Sequence, residues 1–394
     1  VVGRFYNEKG VQFVIPDNKR LPMDIAVPAG ESDGAKHGQI VSVEIIEQPS
    51  KRSPPVGRVV EVLGDHMAPG MEIDIAIRSH DVPQAWPPEV EAEIAGLGEQ
   101  VPTKAKRGRE DLRELPLVTI DGADARDFDD AVYCEATPKG WRLLVAIADV
   151  SHYVYPETAL DKEAFERGNS VYFPERVIPM LPEVLSNGLC SLNPEVDRLC
   201  MVCEMIFNRE GRMIRSRFSN ALMRSHARLT YSEAAAIMVD GDKQARKNRQ
   251  PLLPNLDELY RLYKVLRKER SKRGAIDFET TETRIVFGAG RKIERIVPLV
   301  RNDAHKVIEE CMVAANVAAA RFLERHKMPT LYRIHATPSG DKVTELQEFL
   351  NELGLGLRGG RKPAARDYSA VLEQAKGRPD EHLINTVLLR SMPR

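Results

Sequence analysis

Between positions 121 and 130 the chain carries Asp121, Asp124, Asp127, Asp129 and Asp130. Carboxylates this crowded repel one another, and some must take up protons unless a cation neutralises them. Oxygen-only donors suit Mg²⁺, with Mn²⁺ as the alternative. In an extended chain Asp127 and Asp129 point one way and Asp130 the other. All three face a single ion only if the chain turns there; otherwise two ions sit close together. Paired metals are a recurring solution for cutting phosphodiesters. The spacing does not fit a helix-loop-helix calcium site, which needs acidic or amide residues at alternating positions, a glycine, and a final glutamate. The opposing reading is a solvated acidic loop in which Arg126 pairs with a neighbour. Burial decides between them, because aspartates gathered near a core are costly without a cation.

The elements that must position this cluster are short strands. The runs Leu115–Ile120, Ala131–Cys134 and Trp141–Ala148 are mostly apolar and read as buried strands, so the aspartates occupy a loop joining them. Asp129, between the other ligand candidates, is the choice for orienting an attacking water, with Asp127 beside it. His152 follows in the same region, but metal-assisted hydrolysis requires no histidine base. Upstream, residues 1–85 read as all-β. Runs 1–5, 11–15, 23–27, 39–46 and 55–62 make five strands, punctuated by Gly10, Pro16-Asp17-Asn18, Pro28 and Pro49. Five strands of this length suit an OB-fold barrel. Residues 86–115 form a connector with a short helix near Val90–Ile94 and a basic run, Lys104, Lys106, Arg107 and Arg109, which reads as solvated surface sooner than as a phosphate track. Residues 116–394 are the larger, mixed α and β part. There, helical spacing of Leu256, Leu259, Tyr260, Tyr263 and Leu266 buries one face of a helix. Its other face carries Arg261, Lys264, Arg267, Lys268 and Arg270, an RNA path or ordinary surface. Residues 273–279 and 284–287 read as strands, 302–325 as a long alanine-rich helix, 331–335 as a short strand, and 342–353 and 380–392 as helices.

The string Thr119–Tyr133 resembles the signature of the ribonuclease II/ribonuclease R family, whose catalytic domain is called RNB. The blocks Gly168–Pro174, Ile178–Asn193, Asp197–Met205 and Asn302–Met312 resemble its ribonuclease R branch, and the similarity runs through nearly the whole chain. The resemblance implies a mixed α/β architecture: an N-terminal cold-shock-like OB barrel over 1–85, then an α+β RNB domain over 116–394. It implies a processive, hydrolytic 3′-to-5′ exoribonuclease that releases nucleoside 5′-monophosphates, with Asp121, Asp127, Asp129 and Asp130 holding two Mg²⁺ ions. It also implies that Tyr172 stacks on the terminal nucleotide, and strand alternation then turns Phe173 the opposite way, into the core; the alternative is that Tyr172 is a plain strand residue with its hydroxyl at the surface. Residues 10–18 resemble a cold-shock strand in which Phe13, with Phe5 and Tyr6, offers rings to bases; the alternative is that Phe13 fills the barrel. Tyr231 is a candidate reader of the ribose 2′-hydroxyl, Arg333 and His335 are candidates for the RNA channel, and Asn316 is a candidate to hydrogen-bond RNA or a neighbouring backbone. Measured against the family pattern, the chain is expected to be truncated at both ends, with its catalytic domain incomplete at the C-terminus.

Composition narrows the classes. The 394 residues are 42% hydrophobic, enough for a core in two or three domains. A formal net charge of −1 leaves any RNA contact to local basic patches. Five scattered cysteines, no signal peptide and no apolar run of membrane length lead to an expected cytoplasmic, membrane-free monomer whose partner is RNA, single-stranded at its 3′ end or structured. Cys200 and Cys203 lack a second pair at zinc spacing. The competing class is a non-catalytic RNA-binding module, which the acidic cluster opposes because carboxylates repel RNA unless a cation bridges them.

Overall fold

The computed structural model describes residues 1–50, 53–276, 282–289, 292–299 and 301–393. It divides into two compact units. One holds Val1–Gly96, Tyr155–Pro182 and Thr283–Pro298; the other holds Leu97–Val154, Glu183–Glu282 and Leu299–Arg394.

The first unit begins with the expected five-stranded closed barrel, made of β1 (Val2–Glu8), β2 (Val11–Pro16), β3 (Ile25–Ala26), β4 (Gln39–Glu47) and β5 (Val56–Asp65). Alternation along the strands sends Phe5, Val14, Ile25, Val27, Val41, Val43 and Val59 inward. Gly3 lets β1 curl tightly, since a Cβ there would lie 2.4 Å from the Ile15 carbonyl oxygen. The all-β reading of residues 1–85 fails at one point. Met71–Ser79 is a helix, α1, with Met71 and Ile77 buried. Its apolar residues alternate as in a strand, but Gly70 in the left-handed region starts a helix, and Glu72 and Asp74 favour its first turn. The short helix α2 (Pro88–Ile94) follows, with proline at its first position.

The second unit is built on a seven-stranded sheet. Its first strands are β6 (Glu110–Asp111), β7 (Val118–Asp121), β8 (Asp130–Thr137) and β9 (Gly140–Ala148). The chain next supplies α3 (Ala159–Arg167) and the hairpin β10 (Val171–Phe173) and β11 (Arg176–Ile178) to the first unit. It resumes the sheet with β12 (Asp197–Asn208), β13 (Met213–Arg224) and β14 (Ala227–Thr230). The order is β14-β7-β8-β9-β12-β13-β6, antiparallel in the middle, with parallel outer pairs β14–β7 and β13–β6. Helices α4 (Tyr231–Ala235), α5 (Lys243–Asn248) and α6 (Leu253–Lys272) come next; the strand pair β15 (Glu282–Phe287) and β16 (Ile293–Leu299) then falls almost wholly to the first unit, and α7 (Asp303–Arg325) returns to the second. Val118, Ile120, Val132, Leu143 and Val145 of the strands meet Leu256, Leu259, Leu262, Val307 and Cys311 of α6 and α7 in one core. Helices α8 (Gly340–Glu352), α9 (Ala365–Ala375) and α10 (Glu381–Ser391) form a second core around Leu346, Leu350, Val371 and Ile384. Among the described residues no helix is long and apolar enough to cross a membrane.

Part of 273–279 lies outside the described residues. The stretch 331–335 is not a strand: it is irregular, with Leu331 and Ile334 exposed. β-favouring side chains make a strand only where a neighbouring strand offers its hydrogen bonds, and among the described residues none pairs with this stretch.

Candidate active site

Asp121 ends β7, opposite Thr230 in the ladder with β14. Asp130 opens β8, opposite Ile147 of β9. The loop between them has no regular strand structure, so strict alternation does not apply; its one hydrogen-bonded turn lies at Gly122–Ala125, ahead of Asp127. Asp121 is the hub of the charges. Its carboxyl is raised above the usual range by burial, with Asp127 and Asp124 adding repulsion, while the Gly122 N–H, donating at 2.6 Å, works the other way. Asp129 is raised by desolvation and then by Asp127 and Asp121. Asp130 is pushed to about 6, by burial first and then by Asp121 and Asp129. Its Oδ2 is buried and has no hydrogen-bond partner, which is costly for a polar atom. An all-carboxylate donor set with an orphaned buried oxygen fits a hard divalent cation. Among the described residues, no three His, Cys, Asp or Glu side chains stand close enough to hold an ion as they are. A coordination shell therefore requires the carboxylates to converge further.

The loop is gripped from several distant parts of the same unit. The Ser191 hydroxyl accepts from the Phe128 N–H (3.0 Å) and donates to the Arg126 carbonyl (2.9 Å). Leu192 N–H donates to Phe128 O and Ala148 N–H to Asp129 O. Arg228 of β14 donates to the carbonyls of Ala123 and Ala125 and lies over the Phe128 ring.

Tyr231 comes to this site. Its hydroxyl is pushed to about 12 by burial and by Asp121 and Asp130. Its ring stacks on His305 at 3.9 Å between centroids. Asn302 caps α7 and also donates to the Tyr231 carbonyl, while His305 closes the reciprocal cap. Asn302, His305, Ser191 and Arg228 were not singled out as site residues from the sequence. Asn302, His305 and Ser191 lie in blocks quoted for the family resemblance and Arg228 does not, but no local spacing marks any of the four.

Other candidates lie elsewhere. Asn316 is exposed on α7, thirteen residues past Asp303, or roughly 20 Å along the axis; among the described residues no hydrogen bond to a neighbouring backbone accompanies its side chain. Arg333 and His335 sit on the exposed irregular stretch, with His335 Nδ1 3.1 Å from the Ala336 carbonyl oxygen. Phe13 does not fill the barrel. It stacks on Tyr6 on the outer face, whereas Phe5 is fully buried and offers no ring to a base. Tyr172 is 63% exposed on the β10–β11 hairpin of the first unit, and Phe173 is half-buried rather than core. His152 packs edge-on against Tyr153. Of the basic run, Lys106 pairs with Asp197 and Arg109 with Asp149. On α6, Arg261 pairs with Glu258, Arg270 holds Glu309 and Glu310, and Lys264 covers the Tyr260 ring. All five cysteines are free and buried.

A family model described as RNB domain matches residues 109–394, and one described as cold shock domain matches residues 13–87. The chain belongs to the RNB-domain family. It is 57% identical over 393 residues to ribonuclease R of Vibrio parahaemolyticus serotype O3:K6 and to ribonuclease R of Escherichia coli K12, covering 100% of this chain and 47% and 48% of those proteins. It thus spans about half the length of the curated relatives it matches. Among solved structures, Mycoplasma genitalium RNase R in complex with double-stranded RNA superposes with a TM-score of 0.91 at 28% identity, over 99% of this chain and 69% of that one. The same protein in complex with ribose methylated single-stranded RNA gives 0.92 at 28% identity, over 100% and 62%. Yeast Ssd1, described as a pseudonuclease, gives 0.72 at 15% identity, over 100% and 49%. A fold found in a pseudonuclease does not by itself imply cleavage, so function must be argued from the site.

Proposed function

We propose that this chain carries the catalytic machinery of a hydrolytic, processive 3′-to-5′ exoribonuclease that releases nucleoside 5′-monophosphates. The observation that carries the reading is the mutual crowding of Asp121, Asp127, Asp129 and Asp130 around one loop, with an unsatisfied buried oxygen on Asp130. These four would hold Mg²⁺, two ions in the full site, or Mn²⁺ in its place. Bound there, the ions would supply positive charge for the attacking and departing oxygens of a phosphodiester. Asp129 orients the attacking water. Tyr231, beside the cluster, contacts the terminal ribose. Tyr172 stacks on a base, as the family resemblance implies, and the Tyr6–Phe13 platform offers its rings to bases; contacts to ring faces and sugars tolerate any sequence. Asn316 has no part in this reading. The similarity to ribonuclease R, including one solved with RNA, supports the substrate class.

The test uses a 3′-tailed RNA in two forms, one labelled throughout to reveal released mononucleotides and one labelled at its 5′ end to show shortening from the 3′ end. Mononucleotides should accumulate from the 3′ end with Mg²⁺ and cease with a chelator. RNA binding with no release in either Mg²⁺ or Mn²⁺ would replace this reading with that of a non-catalytic RNA-binding module.

A further inference from the structure

Asp127 lies between two peptide groups that one side chain holds. The Ser191 hydroxyl donates to the carbonyl before Asp127 and accepts from the amide after it. Ser191 is fully buried, and its own carbonyl accepts from the Nε of Arg198, itself buried. On the near side of the loop, Arg228 uses one nitrogen to hold the carbonyls of Ala123 (2.8 Å) and Ala125 (3.0 Å). Its guanidinium lies 4.7 Å over the ring of Phe128, the buried residue between Asp127 and Asp129. Together these groups leave Asp127 and Asp129 on a backbone fixed from outside the loop.

Resting on the reading above, we propose that Ser191 and Arg228 are positioning residues that preorganise the aspartate loop for cation binding. The chemistry at Ser191 is specific. A hydroxyl donates and accepts through one oxygen; alanine does neither, cysteine does both weakly, and threonine does both. Arg228 presents a planar fork and an apolar face together, which lysine does not. Groups that orient metal ligands typically change metal affinity or activity 10–100-fold when removed.

The experiment uses the full chain and Ser191→Ala, Ser191→Thr, Ser191→Cys and Arg228→Lys. Mn²⁺ alone is titrated by electron paramagnetic resonance, deuterium uptake is followed in the peptide spanning 122–130, and RNA affinity and single-turnover cleavage are measured separately. Ser191→Ala should bind Mn²⁺ about 10–100-fold more weakly and exchange faster in the loop. RNA affinity should hold while turnover falls, and part of the turnover should return at high Mg²⁺. Ser191→Thr should restore affinity and protection. Arg228→Lys should show a smaller loss of the same kind. If Ser191→Ala does not fold, Ser191→Cys against Ser191→Thr carries the comparison. A variant that melts earlier yet binds Mn²⁺ and protects the loop as the parent does would overturn the proposal and reduce Ser191 to packing. If the parent itself neither takes up Mn²⁺ nor releases mononucleotides, the metal reading fails instead. Loop exchange in Ser191→Ala against the parent then decides alone: faster exchange supports the positioning role, and unchanged exchange sinks it.

Discussion

On the outer face of the barrel, functional candidates stabilise one another. Phe13 and Tyr6 lie ring on ring at 5.4 Å and 12°, His37 meets Tyr6 edge-on, and Arg4 approaches the same ring. In the aspartate loop the candidates do the reverse. Besides burial, Asp127 makes Asp121 and Asp129 harder to ionise, Asp121 does the same to Asp129 and Asp130, and Asp129 adds to the load on Asp130. The loop survives because neutral or cationic groups outside it hold its backbone. The contrast separates two kinds of site. A stacking platform is complete before it meets RNA and gains area when a base joins it. A carboxylate cluster is incomplete alone, and what it lacks is positive charge.

The sharpest way to break this contrast is to remove one charge and keep its shape. Asp129→Asn should lower mononucleotide release by at least about 10²-fold, while RNA affinity is kept or improves, because repulsion of phosphate falls with attraction of the cation. Near-parental turnover would return the loop to a solvated acidic turn. The next largest effect tests support rather than chemistry. Arg109 and Asp149 form a buried pair at 2.6 Å. Burial alone would raise the Asp149 carboxyl; the Ser151 hydroxyl and the Arg109 guanidinium more than reverse this and hold it below its usual range. Arg109→Met should therefore cost about 3–5 kcal/mol at pH 7. A depressed carboxyl contributes stability above its unfolded pKa of about 4, and that stability is lost as pH falls through the folded value. The gap between parent and variant in chemical denaturation should thus be full at neutral pH and narrow below about pH 4. A gap independent of pH would show that Arg109 acts through packing alone.

Much of this was legible in the chain because it is local. The barrel follows from five alternating runs with turn residues between them, and the aspartate loop from carboxylates between apolar runs. The stretch 331–335 misled because β propensity says nothing about whether a partner strand exists. Met71–Ser79 misled because alternating apolar residues fit a strand as well as an amphipathic turn. The phosphate-track alternative for 104–109 faded once Asp197 and Asp149, far along the chain, neutralised two of its cations. Ser191 and Arg228 were illegible for the same reason: they touch the loop across separations of 63 to 105 residues, and an isolated serine or arginine carries no local signature of what it will hold.

Charge conflict also makes a prediction about stability without substrate. Burial, with Asp121 and Asp129, pushes the Asp130 carboxyl up to about 6, which corresponds to about 2–3 kcal/mol against the ionised form. In chelator at neutral pH, Asp130→Asn should melt several degrees higher than the parent. Added Mg²⁺ should raise the parent and leave the variant nearly unmoved, reversing or closing the gap. Equal melting in chelator would mean that relaxation or water already relieves Asp130.

The smallest effect tests the other side of the contrast. Phe13 lies outside the barrel core and Phe5 inside it, on adjacent strands. If the outer rings serve bases and the inner ones serve folding, the two truncations should separate cleanly. Phe5→Ala empties a fully buried site and should cost about 3–5 kcal/mol of stability. Phe13→Ala should leave the barrel's melting within about a degree or two of the parent's and weaken single-stranded RNA binding by about 1–3 kcal/mol, the value of one base stacked on a ring. The loss should be alike for purine and pyrimidine homopolymers, because every base offers a face. Tyr6→Ala should resemble Phe13→Ala, and the double variant should lose less than the sum, since each ring supports the other across the β1–β2 pair. Unchanged affinity in Phe13→Ala, with melting lowered as far as in Phe5→Ala, would show that the platform is structural and that RNA reaches the chain by another face.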